Sequence, residues 1–86
     1  MNNKILILND FNIVNSSQVI RFYAYEFGDI HIFCNYVNDE PDAFGVEVYK
    51  TDSKDKAIDI LIKIVEKIAS APDGSIVDLR TIWTNY

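Results

Sequence analysis

The segment QVIRFYAYEF, at residues 18–27, decides which of two folds the chain adopts. As a helix, it places apolar side chains on one face from Ile20 to Phe27 at the spacing i, i+3, i+4 and i+7, and Gly28 follows as a terminating residue. As a strand, its aromatic and β-branched residues are favourable, and Gly28-Asp29 forms a two-residue hairpin turn. Composition favours the strand, whereas context favours the helix, and we take the helix as the prediction.

The context is a long helix in the second half of the chain, at residues 53–71. Its apolar side chains cover an arc of roughly 200° when residues are placed at intervals of about 100°. Asp52 or Ser53 can cap its N-terminus, and Pro72 ends it. An arc this wide has to be covered by a sheet beneath the helix and by a neighbour beside it. A first helix at residues 18–27 would supply that neighbour.

Four further segments have the pattern of strands. They are residues 5–8, 30–37, 44–50 and 76–83, while residues 9–17 are polar and typical of turns. In the last of these segments, Ser75 with Asp78 could instead open a short helix. With two helices the order is βαββαβ, which predicts an α+β, ferredoxin-like fold with a four-stranded antiparallel sheet and both helices on one face. The alternative is an antiparallel β-meander with one long helix at residues 53–71. The chain, residues 1–86, is predicted to be a single domain.

Charge is distributed unevenly along the chain. The net charge is −5, and residues 1–49 carry seven acidic and two basic side chains, which accounts for all of it. An acidic domain repels nucleic-acid phosphates and fits a protein partner with a basic surface better. Cys34 is the only cysteine, so neither an intramolecular disulfide nor a cysteine zinc site can form. With no signal peptide or membrane span at the N-terminus, we expect a cytoplasmic protein.

Short segments along the chain resemble those of an RNA-recognition-motif domain. They are ILILN at residues 5–9, YEFGDI at 25–30, VEV at 46–48 and SKDKAI at 53–58. The resemblance spans nearly the whole chain and implies the same ferredoxin-like scaffold. Domains of that family stack RNA bases on aromatic rings of their two central strands. Here the outward positions of those strands carry Leu6, Ala43, Gly45 and Glu47, so nucleic acid is not the expected partner.

The predicted fold leaves one face of its sheet uncovered, and exposed apolar side chains with a polar rim are typical of a protein-binding surface or a dimer interface. The candidate partner-binding residues are Leu6, Leu8, Phe33 and Glu47 on this face, and Asp39, Glu40 and Asp42 in the acidic loop that precedes the third strand. In the alternative, the C-terminal tail with Trp83 and Tyr86 folds over the face and buries it.

The residues that most often carry catalysis are too few here to form a site. His31 and Cys34 are each the only residue of their kind, and positions three apart on a strand point to opposite faces, so they cannot form a nucleophile–base pair. Cys34 is predicted to be a core thiol, and His31 a surface residue facing Glu26. The chain contains neither a phosphate-binding glycine loop nor a metal-ligand motif. We therefore expect no enzyme activity, no cofactor and no metal.

These observations predict a small, acidic, non-catalytic protein–protein interaction module or homodimer. A specific hypothesis is a phage-type stoichiometric inhibitor of a nucleic-acid-binding protein complex, similar in general character to some anti-CRISPR proteins. One alternative is a degenerate RNA-recognition-motif-like domain that binds RNA through Phe33, Tyr49 and the lysines of the long helix. Another is a small ligand-sensing domain or enzyme.

Overall fold

In the computed structural model, which describes residues 3–84, Val19–Phe27 is a β-strand and not a helix. It pairs antiparallel with Asp29–Tyr36 across a tight turn at Gly28, whose φ is +70°. The pairing is favourable because both segments are rich in β-branched and aromatic residues, which pack well across a pleated surface. The local helical pattern is thus overridden by a sheet partner, and the predicted first helix is wrong.

The described residues form six strands, two helices and one short 3₁₀ turn. The strands are β1 Ile5–Asn9, β2 Asn12–Asn15, β3 Val19–Phe27, β4 Asp29–Tyr36, β5 Val46–Thr51 and β6 Ile76–Asp78. The helices are α1 Lys54–Ser70 and α2 Arg80–Trp83, and the 3₁₀ turn, Ser16–Gln18, connects β2 to β3. Neither helix within residues 3–84 is long and apolar enough to cross a membrane.

The strands form two three-stranded sheets. In the first, the order is β2-β1-β6, with β1 antiparallel to β2 and parallel to β6. In the second, β3, β4 and β5 form an antiparallel meander. The ferredoxin-like prediction of one four-stranded sheet under two helices is therefore wrong, and so is the scaffold that the RNA-recognition-motif resemblance implied. The alternative prediction contained the meander and the long helix, but neither the division into two sheets nor the parallel pair.

Two local predictions failed because side chains redirect the backbone. Residues 9–17, predicted as a turn, contain β2, since the Asn9 side chain accepts a hydrogen bond from the Phe11 N–H at 2.9 Å and closes a hairpin. The strand predicted at residues 76–83 ends at Asp78, whose carboxylate accepts the Arg80 N–H at 3.0 Å. That bond turns the chain immediately before α2, because Asp side chains favour turns over strands.

The core lies between α1 and both sheets, and Leu6 and Leu8 of β1 are in it with 0% of their surface exposed. The prediction that these leucines project from an open face is therefore wrong. They alternate with Ile5, which is partly exposed, so β1 turns its even-numbered side chains toward the core. Val77 and Leu79, near the end of the chain, are buried in the same core.

The predicted long helix is confirmed as α1, which the Ser53 hydroxyl caps by accepting the Lys56 N–H at 3.3 Å. At the other end the buried ammonium of Lys4 donates to the carbonyl of Ile68. A cation at a helix C-terminus interacts favourably with the helix dipole. This contact ties β1 to the end of α1 and explains how a lysine is tolerated in the interior.

Candidate binding surface

The side of the β3-β4-β5 sheet that faces away from α1 carries a row of rings. On β4, Ile30, Ile32 and Cys34 are buried toward α1, so His31 and Phe33 point the other way. The antiparallel register then sets Tyr23 of β3 opposite Phe33, and Tyr25 of β3 opposite His31. Directly opposed residues share a face of the sheet, which makes these rings neighbours.

We call this surface the aromatic face. Its members are Tyr23, Tyr25, Phe27, His31, Phe33 and Phe44. The centroid of the Phe33 ring lies 5.6 Å from that of Tyr23, 5.9 Å from that of His31 and 5.4 Å from that of Phe44. These separations are typical of favourable ring contacts. A shallow cavity of about 180 Å³ lies among the rings, and Phe27 beside it is 77% exposed.

Phe44 belongs to the loop before β5, and the loop is held against the sheet. The Tyr23 hydroxyl donates to the Phe44 carbonyl at 2.7 Å, and the Asn35 amide donates to the Ala43 carbonyl at 3.2 Å. Gly45 has a φ of +89°, and a Cβ atom there would lie 2.2 Å from the Cys34 carbonyl oxygen. Only glycine permits this close approach, so the position of Phe44 on the aromatic face depends on Gly45.

His31 lies at the centre of the aromatic face. Its Nδ1 contacts the Glu47 carboxylate, and its Nε2 lies 3.2 Å from the Phe27 carbonyl oxygen. The hydrogen bond to Glu47, followed by that to Phe27, raises the pKa of His31 above its usual 6.5. Because both ring nitrogens face acceptors, only the doubly protonated ring can donate to both. Glu47 is the partner instead of Glu26, so the prediction that His31 faces Glu26 is wrong.

Arg21 extends the aromatic face along β3. Its guanidinium lies 4.2 Å from the centroid of the Tyr23 ring, and its Nε donates to the Asn35 side chain at 2.7 Å. A guanidinium over an aromatic ring is a favourable cation–π arrangement. The aromatic face thus carries the Arg21 guanidinium, the His31 imidazole and the Glu47 carboxylate beside its rings.

The predicted site residues are only partly brought together. Phe33 and Glu47 lie on the aromatic face, whereas Leu6 and Leu8 lie in the core. The acidic loop leads to the aromatic face through Phe44, which lies two residues after Asp42. Its Asp39 accepts the Tyr36 N–H at 2.9 Å, so this residue also shapes the loop. Of the three acidic residues of the loop, Glu40 and Asp42 are exposed.

Sequence reasoning missed four members of the aromatic face, Tyr23, Tyr25, Phe27 and Phe44. The signal for the first three was the alternation of aromatic residues at positions 23, 25 and 27, which has the period of a strand. Tyr49, the other aromatic residue considered for RNA binding, stacks instead on Trp83 at 5.2 Å. Tyr86, the other aromatic residue of the tail, lies outside the described residues.

Cys34 lies in the core, and the described residues offer no candidate metal site. Burial raises the pKa of the Cys34 thiol to about 12, and its side chain points to the opposite side of β4 from His31. The prediction of a core thiol is confirmed, because Cys34 is fully buried. Within residues 3–84, His, Cys, Asp and Glu side chains do not gather in groups of three or more that could hold a metal ion.

A larger cavity, of about 520 Å³, lies near the start of α2 and is open and polar. Its cation, Arg80, already forms ion pairs with Asp78 at 2.8 Å and with Asp10 at 3.0 Å. These bonds connect α2 to the β1–β2 turn. Because the Arg80 guanidinium already pairs with two carboxylates of the chain, it is a poor binding group for an anionic ligand. The aromatic face is therefore the stronger candidate for a binding site.

The chain matches no model of a known protein family, no curated protein and no solved structure with which it was compared. Its function therefore has to be inferred from the chemistry of the aromatic face.

Proposed function

We propose that this protein is a small, non-catalytic binding module whose aromatic face contacts a protein partner. The observation that carries the proposal is the contiguous set of six rings, in which Phe27, Phe44 and Tyr25 are exposed to solvent. Protein interfaces are enriched in aromatic residues and arginine at their centres, and those residues contribute most of the binding energy. Phe27 and Phe44 are the expected anchors, with Arg21 beside them.

The size of the cavity among the rings indicates what the partner contributes. Sites for cofactors and small molecules usually enclose about 300–1,000 Å³. The cavity on the aromatic face measures about 180 Å³ and is open to solvent, so it fits one or two side chains better than a cofactor. A bulky apolar side chain of the partner, inserted between Phe27 and Phe44, would fill it.

The charges around the aromatic face indicate which polar residues should surround the centre of the partner's binding surface. Glu47 lies on the face, the exposed carboxylates of Glu40 and Asp42 lie in the loop that leads to it, and the chain as a whole carries a charge of −5. Complementary charge accelerates association and selects among partners. A partner with lysine or arginine around an apolar anchor therefore fits best. An inhibitor that occupies the basic nucleic-acid site of another protein would be one such case.

A matched pair of phenylalanine variants tests the proposal. Phe27 on the aromatic face is 77% exposed and Phe11 on the β1–β2 turn is 94% exposed, so both tolerate a change to serine without loss of core packing. Peptides would be selected on the wild-type protein from a random displayed library, and their dissociation constants measured by calorimetry. We expect the selected peptides to be basic and to contain a bulky apolar residue. The Phe27→Ser variant should bind them at least tenfold more weakly than the wild type does, and the Phe11→Ser variant should bind them as tightly as the wild type. Equal binding by all three proteins would contradict the proposal.

Single-stranded RNA is a second candidate partner, favoured by one observation. The Tyr23 and Phe33 rings sit side by side across two strands, and Arg21 lies over the first of them. Proteins that bind single strands use such stacking platforms with basic side chains. The carboxylate of Glu47 on the same face weakens this candidate. Titration with an RNA pool at about 50 mM salt, where phosphate contacts are strong, decides it, because undetectable binding there would eliminate RNA.

A further inference from the structure

The cavity on the aromatic face is lined by rings. Its lining residues come from two strands and one loop, and they are Tyr25, Phe27, His31, Phe33 and Phe44. The rings of Tyr25 and Phe44 stand at 67° to each other, with centroids 5.2 Å apart. Those of His31 and Phe33 are stacked at 18°, so the cavity has aromatic walls in more than one direction. Its volume of about 180 Å³ is that of about six water molecules.

The acceptors beside this cavity are already bound to His31. The Glu47 carboxylate contacts Nδ1 of His31, and the Phe27 carbonyl oxygen lies 3.2 Å from its Nε2. A lysine ammonium carries three N–H donors and an arginine guanidinium carries five, and burying such donors without acceptors costs free energy. Either group would have to compete with His31 for both acceptors. An occupant without N–H donors therefore fits the cavity better.

The charges next to the cavity permit a cationic occupant. His31 and Glu47 together carry no net charge when the imidazole is protonated and a negative net charge when it is neutral, so the pair does not repel a cation. Lys50 lies opposite His31 on β5 and pairs with Asp29 at 4.0 Å. The whole chain carries a net charge of −5, which attracts a positively charged partner.

The aromatic face already holds one cation over a ring. The Arg21 guanidinium lies 4.2 Å from the centroid of Tyr23, and this ring contacts Phe33, which lines the cavity. Cation–π attraction is stronger where the cation has lost its water. A trimethylated ammonium group carries methyl groups in place of hydrogen atoms, and sites made of several aromatic rings are the typical protein sites for such groups.

We propose that the cavity binds the trimethylated ammonium group of a lysine side chain in the protein partner. This inference rests on the proposed function, because the lysine belongs to that partner. The methyl groups fill the apolar space as a bulky apolar side chain would, and the rings attract the positive charge as well. A cavity this small and open encloses the ammonium group alone, so further affinity has to come from neighbouring residues, which a polypeptide has and a free ammonium compound lacks.

Three otherwise identical peptides test the proposal. Each is a short peptide of glycine and lysine that carries trimethyllysine, unmodified lysine or a neutral isostere of trimethyllysine at its centre; in the isostere, carbon replaces the quaternary nitrogen. Dissociation constants are measured by NMR titration up to about 5 mM peptide. We expect the trimethyllysine peptide to bind at least tenfold more tightly than the other two. Equal binding of the isostere, or no binding of the trimethyllysine peptide, would overturn the proposal.

The variant Phe27→Leu separates the attraction of a ring for a cation from its apolar bulk. Leucine keeps an apolar side chain beside the cavity but has no π face. The preference for the trimethyllysine peptide over its isostere should fall at least ~threefold in Phe27→Leu. It should keep its wild-type value in Phe11→Leu, the matched control, because Phe11 lies on the β1–β2 turn and is 94% exposed. Circular dichroism checks that both variants are folded. An unchanged preference in Phe27→Leu would overturn the proposal.

Choline chloride tests whether the ammonium group belongs to a side chain. Choline carries the same quaternary nitrogen without neighbouring residues, and potassium chloride is the control for ionic strength. We expect choline to bind at least tenfold more weakly than the trimethyllysine peptide. Choline that binds as tightly as the peptide would overturn the assignment to a lysine side chain. These outcomes are distinct from failure of the proposed function, since library peptides that bind the aromatic face through an apolar residue support that function whether or not a cation is preferred.

Discussion

The change Gly45→Ala probes how the loop before β5 is fitted to the sheet. Gly45 has a φ of +89°, and an added Cβ atom would lie 2.2 Å from the Cys34 carbonyl oxygen and 2.7 Å from the Asn35 side-chain nitrogen. Both distances are far below van der Waals contact. The nearer neighbour is backbone of the central strand β4, which cannot move aside without breaking its pairing with β3 or β5.

Two terms contribute to the expected loss. The left-handed backbone conformation costs about 1–2 kcal/mol for a residue with a Cβ atom. Forcing a methyl group into occupied space costs typically about 1–3 kcal/mol more. The sum, about 2–5 kcal/mol, is a large part of the 5–15 kcal/mol or so that stabilises an ordinary domain. At about 4–8 °C for each kcal/mol in a domain of this size, the melting temperature should fall by at least ~8 °C.

The other two glycines are matched controls. Gly28 and Gly74 also have positive φ values, of +70° and +79°, but an added Cβ atom at either would meet no heavy atom within 4 Å. Gly28→Ala and Gly74→Ala should therefore lose only the conformational term, about 1–2 kcal/mol. Urea unfolding followed by circular dichroism measures all three. If Gly45→Ala loses no more stability than the two controls, the close approach of the loop to β4 is wrong.

Three further predictions follow from burial and from local charge. Leu6→Ala should lower the free energy of unfolding by about 2–5 kcal/mol, whereas the same change at the exposed Ile13 should stay within about 0.5 kcal/mol; similar losses in urea unfolding would place Leu6 outside the core. Cys34 should resist iodoacetamide at pH 8 until the protein unfolds, since burial raises its pKa to about 12; fast labelling, detected by mass spectrometry, would show an accessible thiol. His31 should titrate above 6.5 by NMR, and Glu47→Gln should lower its pKa; no change would remove Glu47 as the cause. Because the folded pKa is raised, the stabilisation from His31 is complete below pH 6.5 and is lost as the pH rises through the folded value.

The sequence alone was sufficient for features that depend on near neighbours in the chain. The helix at residues 54–70, a cap at Asp52 or Ser53 and an end before Pro72 all follow from a pattern with the period of a helix and from capping chemistry, which act over a few residues. The opposite sides of β4 on which His31 and Cys34 lie also followed from alternation along a strand. For the candidate site, the same alternation placed Phe33 outside the core, and the outward position predicted for Glu47 is likewise what the structure has.

Tertiary structure decided what depends on partners distant in sequence. Residues 18–27 carry both a helical and a strand pattern of similar strength, and only hydrogen bonding to β4 resolves them. Leu6 and Leu8 belong to a segment, residues 5–8, in which every residue is apolar, so its pattern does not show which side of β1 faces the core. The position of α1 decides that. The aromatic face exists because the antiparallel register aligns rings from two strands and a loop. Local propensity determines which segments form helices or strands. Strand pairing and burial determine which faces of those elements come into contact, and these interactions exist only in the folded chain.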